Sequence, residues 1–351
     1  MSRYLTNKLL GLKAYVPGEQ PQDKQYIKLN TNESPFATSD GVVKAVNEQK
    51  IRNLRLYCDP ECKALKTELA RVYKTTTDRI FVSNGSDEIL NFAFMAYGQN
   101  GVAFADITYG FYSVFANLYN LQTEIIPLSE DFSLNVEGFF GKNKLIVIAN
   151  PNAPTGKEIS LEDIEKIVVS NPNNIVVIDE AYVDFGGTSC SKLTEKYDNL
   201  LCVQTFSKSR SMAGARLGFA IANAKIIEDL DKIKYSTNPY NVNSLTQVAG
   251  TFALIESDYY MQNAKRIVEN RNYTALELKK LNFNVLDSKA NFIFAKTDKI
   301  SGRNLYLKLK GEGILVRHFD KERIKDFIRI TIGSKEEMQI FIQKIKEILK
   351  N

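Results

Sequence analysis

The sequence predicts an α/β fold: a mostly parallel sheet sandwiched by helices, followed by a smaller α+β domain. Three observations predict it. From about Ile80 to Asn223, short apolar runs alternate with helical segments, as a parallel sheet with helices on both faces requires. Runs such as Leu145–Ala149 and Ile175–Ile178 are apolar at consecutive positions, the mark of strands buried on both faces. Beyond Ser244 the pattern changes to a long helical stretch and then short strands. The 351 residues exceed one ordinary core. The expected organisation is an N-terminal arm (1–30), a large α/β domain (31–245) and a small α+β domain (246–351). The arm is expected to pack with the small domain or on a partner subunit.

The elements follow in chain order. Ile80-Phe-Val82 runs through Ser83-Asn-Gly-Ser-Asp-Glu88 into the apolar Ile89–Met95. That is strand, small-residue loop and helix, and amides at such a helix start bind phosphate. Leu145–Ala149 ends in Asn150-Pro-Asn-Ala-Pro-Thr-Gly156, a sharp loop. Ser160 and Asp163 then open a helix as a capping box. Ile175–Ile178 ends at Asp179, on the carboxyl edge where α/β sheets bind ligands. The plainer reading of Asp179 is a cap for the next element. Leu200–Phe206 leads into Ser207-Lys208, with Arg216 eight residues further on. Helical sequence continues through Ala253 and Ala264 to Leu281, and Asn291–Ala295 and Phe327–Ile332 read as strands. Arg329 interrupts the second of these, and a charge in an apolar run is costly unless paired. Ser334 to Glu337 forms a second capping box. Met338, Phe341, Ile342, Ile345, Ile348 and Leu349 then mark one helix face.

Lys208 carries the chemistry. A buried lysine amine forms a Schiff base with an aldehyde once its pKa is pulled down. Ser207 and Arg216 offer a hydroxyl and a guanidinium to a phosphate. An aldehyde and a phosphate on one small molecule point to pyridoxal 5′-phosphate (PLP). That ring needs a carboxylate at its pyridine nitrogen, which Asp179 supplies, and Tyr182 is close enough in sequence to reach the ring's phenolic oxygen.

These segments, with Leu29–Pro35, Tyr57–Pro60, Thr108–Gly110, Pro239–Asn243, Ala290–Phe292 and Arg329–Gly333, resemble one family. Over nearly its whole length the chain is similar to the fold-type I PLP enzymes, and within them to the class II aminotransferases. The branch it resembles most transfers the amino group of histidinol phosphate to 2-oxoglutarate, a step of histidine biosynthesis. Aromatic amino-acid aminotransferases and a PLP-dependent threonine-phosphate decarboxylase are the alternatives. A non-catalytic PLP-binding regulator would need a DNA-binding domain, and none is expected ahead of Tyr15.

The resemblance implies roles. Lys208 is the Schiff-base lysine and proton shuttle, Asp179 the partner of the pyridine nitrogen, Tyr182 the partner of the ring oxygen. Tyr109 stacks on the ring. Gly85, Ser86 and Asp87 start the helix that faces the phosphate, which Ser207 and Arg216 complete. Tyr57 reaches that phosphate from the other subunit of a homodimer. Arg317 and Arg329 hold the substrate's anionic end, with Tyr15, Asn32 and Asn291 nearby. One position departs from the family. An asparagine that contacts the ring oxygen often precedes Pro-Thr-Gly, and here Ala153 stands there. Either Asn152 takes over, or Tyr182 acts alone.

Composition excludes other classes. Apolar residues at 44% and charged residues at 25% describe a globular protein. No run approaches the roughly 18 apolar residues of a membrane span, and the N-terminus lacks a signal peptide's apolar core. The net charge of +5 is dispersed, which argues against a nucleic-acid partner. Cys58 and Cys62 are spaced C-x3-C, but Cys190, Cys202 and the single histidine, His318, lie far from them in sequence. No metal site is expected, and unpaired cysteines fit a reducing cytoplasm. One histidine leaves little scope for His-based catalysis. A PLP enzyme needs none, because the lysine is its base.

Overall fold

The computed structural model describes residues 4–6 and 9–350. The expected arm's residues 1–3, 7 and 8 lie outside the described residues. The strands are β1 (Ile27–Lys28), β2 (Ile80–Ser83), β3 (Val102–Ala105), β4 (Thr123–Ile126), β5 (Leu145–Ala149), β6 (Val176–Asp179) and β7 (Leu200–Thr205). They continue with β8 (Gly218–Ile221), β9 (Asn284–Val285), β10 (Phe292–Lys296), β11 (Ile314–Leu315), β12 (Arg317–His318) and β13 (Ile328–Thr331). The helices are α1 (Asp40–Ala45), α2 (Glu48–Arg52), α3 (Lys63–Tyr73), α4 (Ser86–Tyr97), α5 (Phe111–Leu118) and α6 (Leu161–Ser170). After them come α7 (Ala224–Thr237), α8 (Ser244–Ile255), α9 (Ser257–Lys280), α10 (Gly302–Gly311) and α11 (Lys335–Lys350).

Seven strands form the central sheet in the order β2-β8-β7-β6-β5-β3-β4. Its β7-β6-β5-β3-β4 part is parallel throughout, and β8 runs antiparallel to both β7 and β2. Side chains alternate between its faces, as the period of two requires. Val147, Val177 and Val203 pack with α4, α5 and α7 on one face. Ile146, Ile148, Val176 and Ile178 pack with Ile164 and Ile167 of α6 on the other. Full burial of each such aliphatic side chain is worth about 1.5–3 kcal/mol. Both faces are covered, which explains why the strands read as unbroken apolar runs.

A second, antiparallel sheet has the order β12-β13-β10-β9. Its core joins Ile293, Ile328 and Ile330 to α9 and to Met338, Phe341, Ile342 and Ile345 of α11. The capping box at Ser334 forms, since Glu337 N–H donates to Ser334 Oγ at 3.2 Å and Ser334 N–H to Glu337 Oε2 at 2.7 Å. Residues 27–29 join this body. β1 pairs in parallel with β11, and Leu29 lies in the second core. α8 instead packs on α1 and α3, with Ala253 and Leu254 in a core shared with β2 and β8. α9 enters that core at Tyr260 and the small-body core at Ala264 and Ile267. The change of core therefore falls inside α9 rather than at residue 245, because α8 buries its apolar face against large-body helices.

Candidate active site

A cavity of about 700 Å³ opens at the carboxyl edge of the parallel strands. Asp179, Tyr182, Ser207, Lys208, Ser86, Asp87, Tyr109 and Arg216 line it from the large body. Arg317 and Arg329 line it from the small sheet, and Tyr15 and Asn32 from the N-terminal segment. The fold thus brings most of the sequence-predicted residues to one place.

Asp179 is the last residue of β6 and is buried. Tyr112 Oη donates to its Oδ2 at 2.8 Å, and the Ala181 N–H to its Oδ1 at 3.3 Å. Burial pushes its carboxyl up to about 6, against the bond from Tyr112, and the carboxylates of Asp87 and Glu180 push it further in the same direction. A buried anion among anions calls for a cationic partner. Lys208 lies two residues beyond the last core residue of its strand segment, Phe206. Its Nζ donates to the Thr31 carbonyl at 3.2 Å and stands 5.8 Å from the Tyr182 ring centre. Burial, then the positive charge of Arg329, pull its ammonium down to about 8. An amine so placed is a base near neutral pH.

At one end of the cavity, α4 begins at Ser86 after Gly85, whose φ is +79°. A Cβ on Gly85 would sit 2.7 Å from Arg216 Nη2, and one on Gly218 would sit 2.3 Å from the Ser86 amide nitrogen. Glycine at both positions lets the guanidinium and β8 close on the helix start. Arg216 is itself held in left-handed backbone, φ +52°, a strained choice for a residue with a Cβ. Its Nη2 pairs with Asp87 Oδ2 at 3.0 Å, and Asp87 Oδ1 accepts from Tyr109 Oη at 2.9 Å. Ser207 Oγ accepts from Thr205 Oγ1 at 3.0 Å. Helix amides, a guanidinium and a hydroxyl at one point make an anion cup.

At the other end, Arg317 and Arg329 face each other directly across β12 and β13. Arg329 Nη2 donates to Asn30 O at 2.9 Å, while its buried Nε has no partner. Phe292 and Phe319 lie against its guanidinium, ring centres at 5.3 and 5.8 Å. Arg317 donates to the carbonyls of Pro17 and Val16, each at 3.2 Å. Burial, with the adjacent Arg317 adding to it, holds Arg329 below its usual range. Two adjacent guanidiniums and an unpartnered N–H are built for an anion. Asn32 Nδ2 donates to Tyr182 Oη at 2.9 Å, and Thr331 Oγ1 to Asn32 Oδ1 at 2.9 Å.

Four candidates stand apart from the cavity wall. Asn152 does not line it. Its amide protons go to the Ile107 carbonyl and Thr155 Oγ1, both at 3.0 Å, and its oxygen accepts from Thr108 Oγ1 at 2.8 Å. Asn152 here braces its own loop. Asn291 lies behind Asn32, donating to its carbonyl at 3.0 Å. Gly85 contributes space rather than a contact. Tyr57 is 84% exposed and stacks on Tyr240, ring centres 4.5 Å apart. The fold sets the thiols of Cys190 and Cys202 together beside Glu180. Burial raises both, Cys202 to about 11, and so opposes thiolate formation. Sequence reasoning missed Tyr112, although it sits three residues after Tyr109 in an aromatic run on α5. It also missed the Thr31 carbonyl, a backbone group whose residue type does not announce it, and Phe319, which carries no motif.

Residues 24–345 match the family model described as aminotransferase class I and II. The chain belongs to that family. This aminotransferase is 50% identical over 354 residues to a histidinol-phosphate aminotransferase of Brachyspira hyodysenteriae, covering 100% of both chains. It is 46% identical to one of Clostridium beijerinckii, covering 100% of this chain and 99% of that one. A solved structure of histidinol-phosphate aminotransferase from Sinorhizobium meliloti, in complex with pyridoxal 5′-phosphate, superposes with a TM-score of 0.89. That pair is 21% identical, covering 100% of this chain and 98% of the other, so it establishes a shared fold. The aminotransferase's own donor set fits PLP: an amine with a depressed pKa, an anion cup, and a buried carboxylate short of a cation.

A prediction follows from Asp179. Its carboxyl holds its proton more tightly folded, to about 6, than unfolded. That contribution to stability is full below the unfolded pKa of roughly 3.9 and is lost as pH rises through about 6. Cofactor-free Asp179→Asn keeps an acceptor for Tyr112 but cannot ionise. Above that folded pKa it should be more stable than the parent by roughly 1–3 kcal/mol, the gap closing as the carboxyl protonates in acid. Thermal unfolding of both proteins against pH measures this; a parent more stable at alkaline pH would contradict it.

Proposed function

We propose that the cavity binds PLP and transfers the amino group of histidinol phosphate to 2-oxoglutarate, giving imidazole-acetol phosphate and L-glutamate. The single observation that carries the reading is the facing pair Arg317 and Arg329, which line the same cavity as Lys208. The identity with histidinol-phosphate aminotransferases supports the choice of substrate.

When bound, PLP supplies an aldehyde that accepts amines and a ring that disperses the electron pair left by proton loss. The residues divide the remaining work. Lys208 Nζ would hold the aldehyde, and the freed amine would take a proton from the amine-bearing carbon and later return one. A pKa near 8 lets the one amine act in both senses near neutral pH. Asp179 would keep the ring nitrogen protonated, and Tyr112 aims its carboxylate. Tyr182 accepts from Asn32 and would keep its own O–H proton for the ring oxygen. Tyr109 would stack on the ring, and the α4 amides at Ser86 and Asp87, with Ser207 and Arg216, would hold the phosphate. Arg329 holds the substrate anion with its free Nε–H. Tyr15 and Asn32 wall the substrate space, and Asn291 supports Asn32.

The same reading makes the protein a homodimer of the cytoplasm, with each Tyr57 reaching its partner's cofactor phosphate. Its exposed ring supports this. No described helix is long and apolar enough to cross a membrane. Nucleic acid has no part in the proposal.

Two outcomes test the reading. The purified enzyme should prefer histidinol phosphate over phenylalanine and tyrosine. Arg317→Ala should cut that preference about ten- to a hundredfold while affecting glutamate less, because a phosphate carries nearly two charges and a carboxylate one. Following conversion of the cofactor to its amine form with each substrate measures this. Equal slowing of both substrates would remove Arg317 from discrimination, and outright preference for phenylalanine would replace the reading. Mixing inactive Tyr57→Ala and Lys208→Ala subunits should restore part of the activity; no recovery, or an active monomer in sedimentation, would contradict the shared site.

A further inference from the structure

We propose that Asp106 and Arg323 form a positioning pair that sets the substrate-binding arginines against the cofactor wall of the cavity. The inference rests on the reading that Arg317 and Arg329 hold the substrate anion.

Asp106 directly follows β3. Its Oδ1 accepts from the N–H groups of Ile107 and Leu128, both at 2.9 Å. The carboxylate is thereby fixed to the large body with Oδ2 left over. Arg323 Nη1 reaches that oxygen at 2.8 Å. Arg323 Nη2 donates to the carbonyls of Leu128 and Ser129, at 3.1 and 2.9 Å. Lys321 Nζ donates to the Asp106 carbonyl at 3.2 Å. One short turn of the small body, Glu322–Ile324, thus grips the end of one large-body strand. Beneath it, Ile324, Phe327 and Phe294 pack against Ala105, Ile107 and Leu128. The Phe132 ring lies 5.4 Å from the Arg323 guanidinium and meets Phe327 edge-on at 5.3 Å.

Both partners are tied to the chemistry by short covalent paths. Asp106 leads through Ile107 and Thr108, which line the cavity, to Tyr109. Arg323 lies just after Phe319, whose ring centre is 5.8 Å from each substrate arginine. It lies just before β13, which carries Arg329. The ion pair itself is partly exposed, 39% and 23%, so its direct stabilisation is small. Its effect is on position. A displacement of reacting groups by about an ångström can cost about a hundredfold, and here it would move the anion-binding wall relative to Lys208.

The test uses Asp106→Asn and Arg323→Ala in the holoenzyme. The asparagine can keep its oxygen towards Ile107 and Leu128 while its NH2 meets a guanidinium that accepts no bond, so it cuts the pair without undoing the turn. Each variant should raise KM for histidinol phosphate and for glutamate about three- to tenfold, with a smaller change in kcat. The absorbance of the lysine-bound cofactor should stay as in the parent. The double variant should be no worse than the more damaging single, and Arg323→Lys should recover part of the loss. Unchanged KM in either single variant, or effects that multiply in the double, would overturn the proposal. If the parent turns over neither substrate, the functional reading fails, and hydrogen exchange decides the pair separately. Amides of 107–109 and 319–324 should then exchange faster together in either variant, and unchanged exchange would overturn the pairing.

Discussion

The carboxylate of Asp179, buried at the end of β6 and pressed by other carboxylates, is the constraint on which the rest of the site depends. A strand buried on both faces can end in an ionisable group only if something satisfies it. Tyr112 supplies one hydrogen bond, from a helix packed on the same sheet face. Among the described residues no salt bridge engages it, and the neighbouring groups that raise the carboxyl's pKa are acidic. In the proposed function, the protonated ring nitrogen of PLP would meet this carboxylate. Lys208 presents the complementary condition, an amine whose proton is loosened by burial and by Arg329. The two groups sit on successive parallel strands' ends, β6 and β7, so the sheet itself sets their relation.

The anion-binding ends follow the same logic. Arg216 closes on the start of α4 because Gly85 and Gly218 leave no Cβ in the way. Arg329 is kept unsatisfied at Nε, beside a second guanidinium directly across the sheet. Arg216 is paired with Asp87, while the Nε of Arg329 has no partner, and both guanidiniums line the cavity that holds Lys208. Residues 27–28 pair with β11 beside these arginines, and the turn at 322–324 docks on the end of β3.

Much of this was legible in the sequence because the decisive residues stand where strand patterns end. The apolar runs before Asp179 and after Asn199 announce buried strands, and the residues that follow them sit at the ligand-binding edge. Arg329 stood out as a charge in an apolar run. What stayed hidden depends on tertiary placement. Asn152 occupies a plausible motif position, yet its amide is spent within its own loop. α8 has no composition that assigns it to either body; only its packing on α1 and α3 does. Cys190 and Cys202 are twelve residues apart in the chain, and the fold alone brings them together at Glu180. Tyr112 was visible as an aromatic, but its hydroxyl's target depends on where α5 lies over the sheet.

The central claim is that Asp179 holds a proton on the cofactor's ring nitrogen. Nuclear magnetic resonance of isotopically labelled PLP bound to the protein reads that nitrogen directly. The account predicts a protonated nitrogen in the parent from neutral to alkaline pH, and a deprotonated one in Asp179→Asn with Lys208 still attached. A nitrogen already unprotonated in the parent, or equally protonated in the variant, would contradict it.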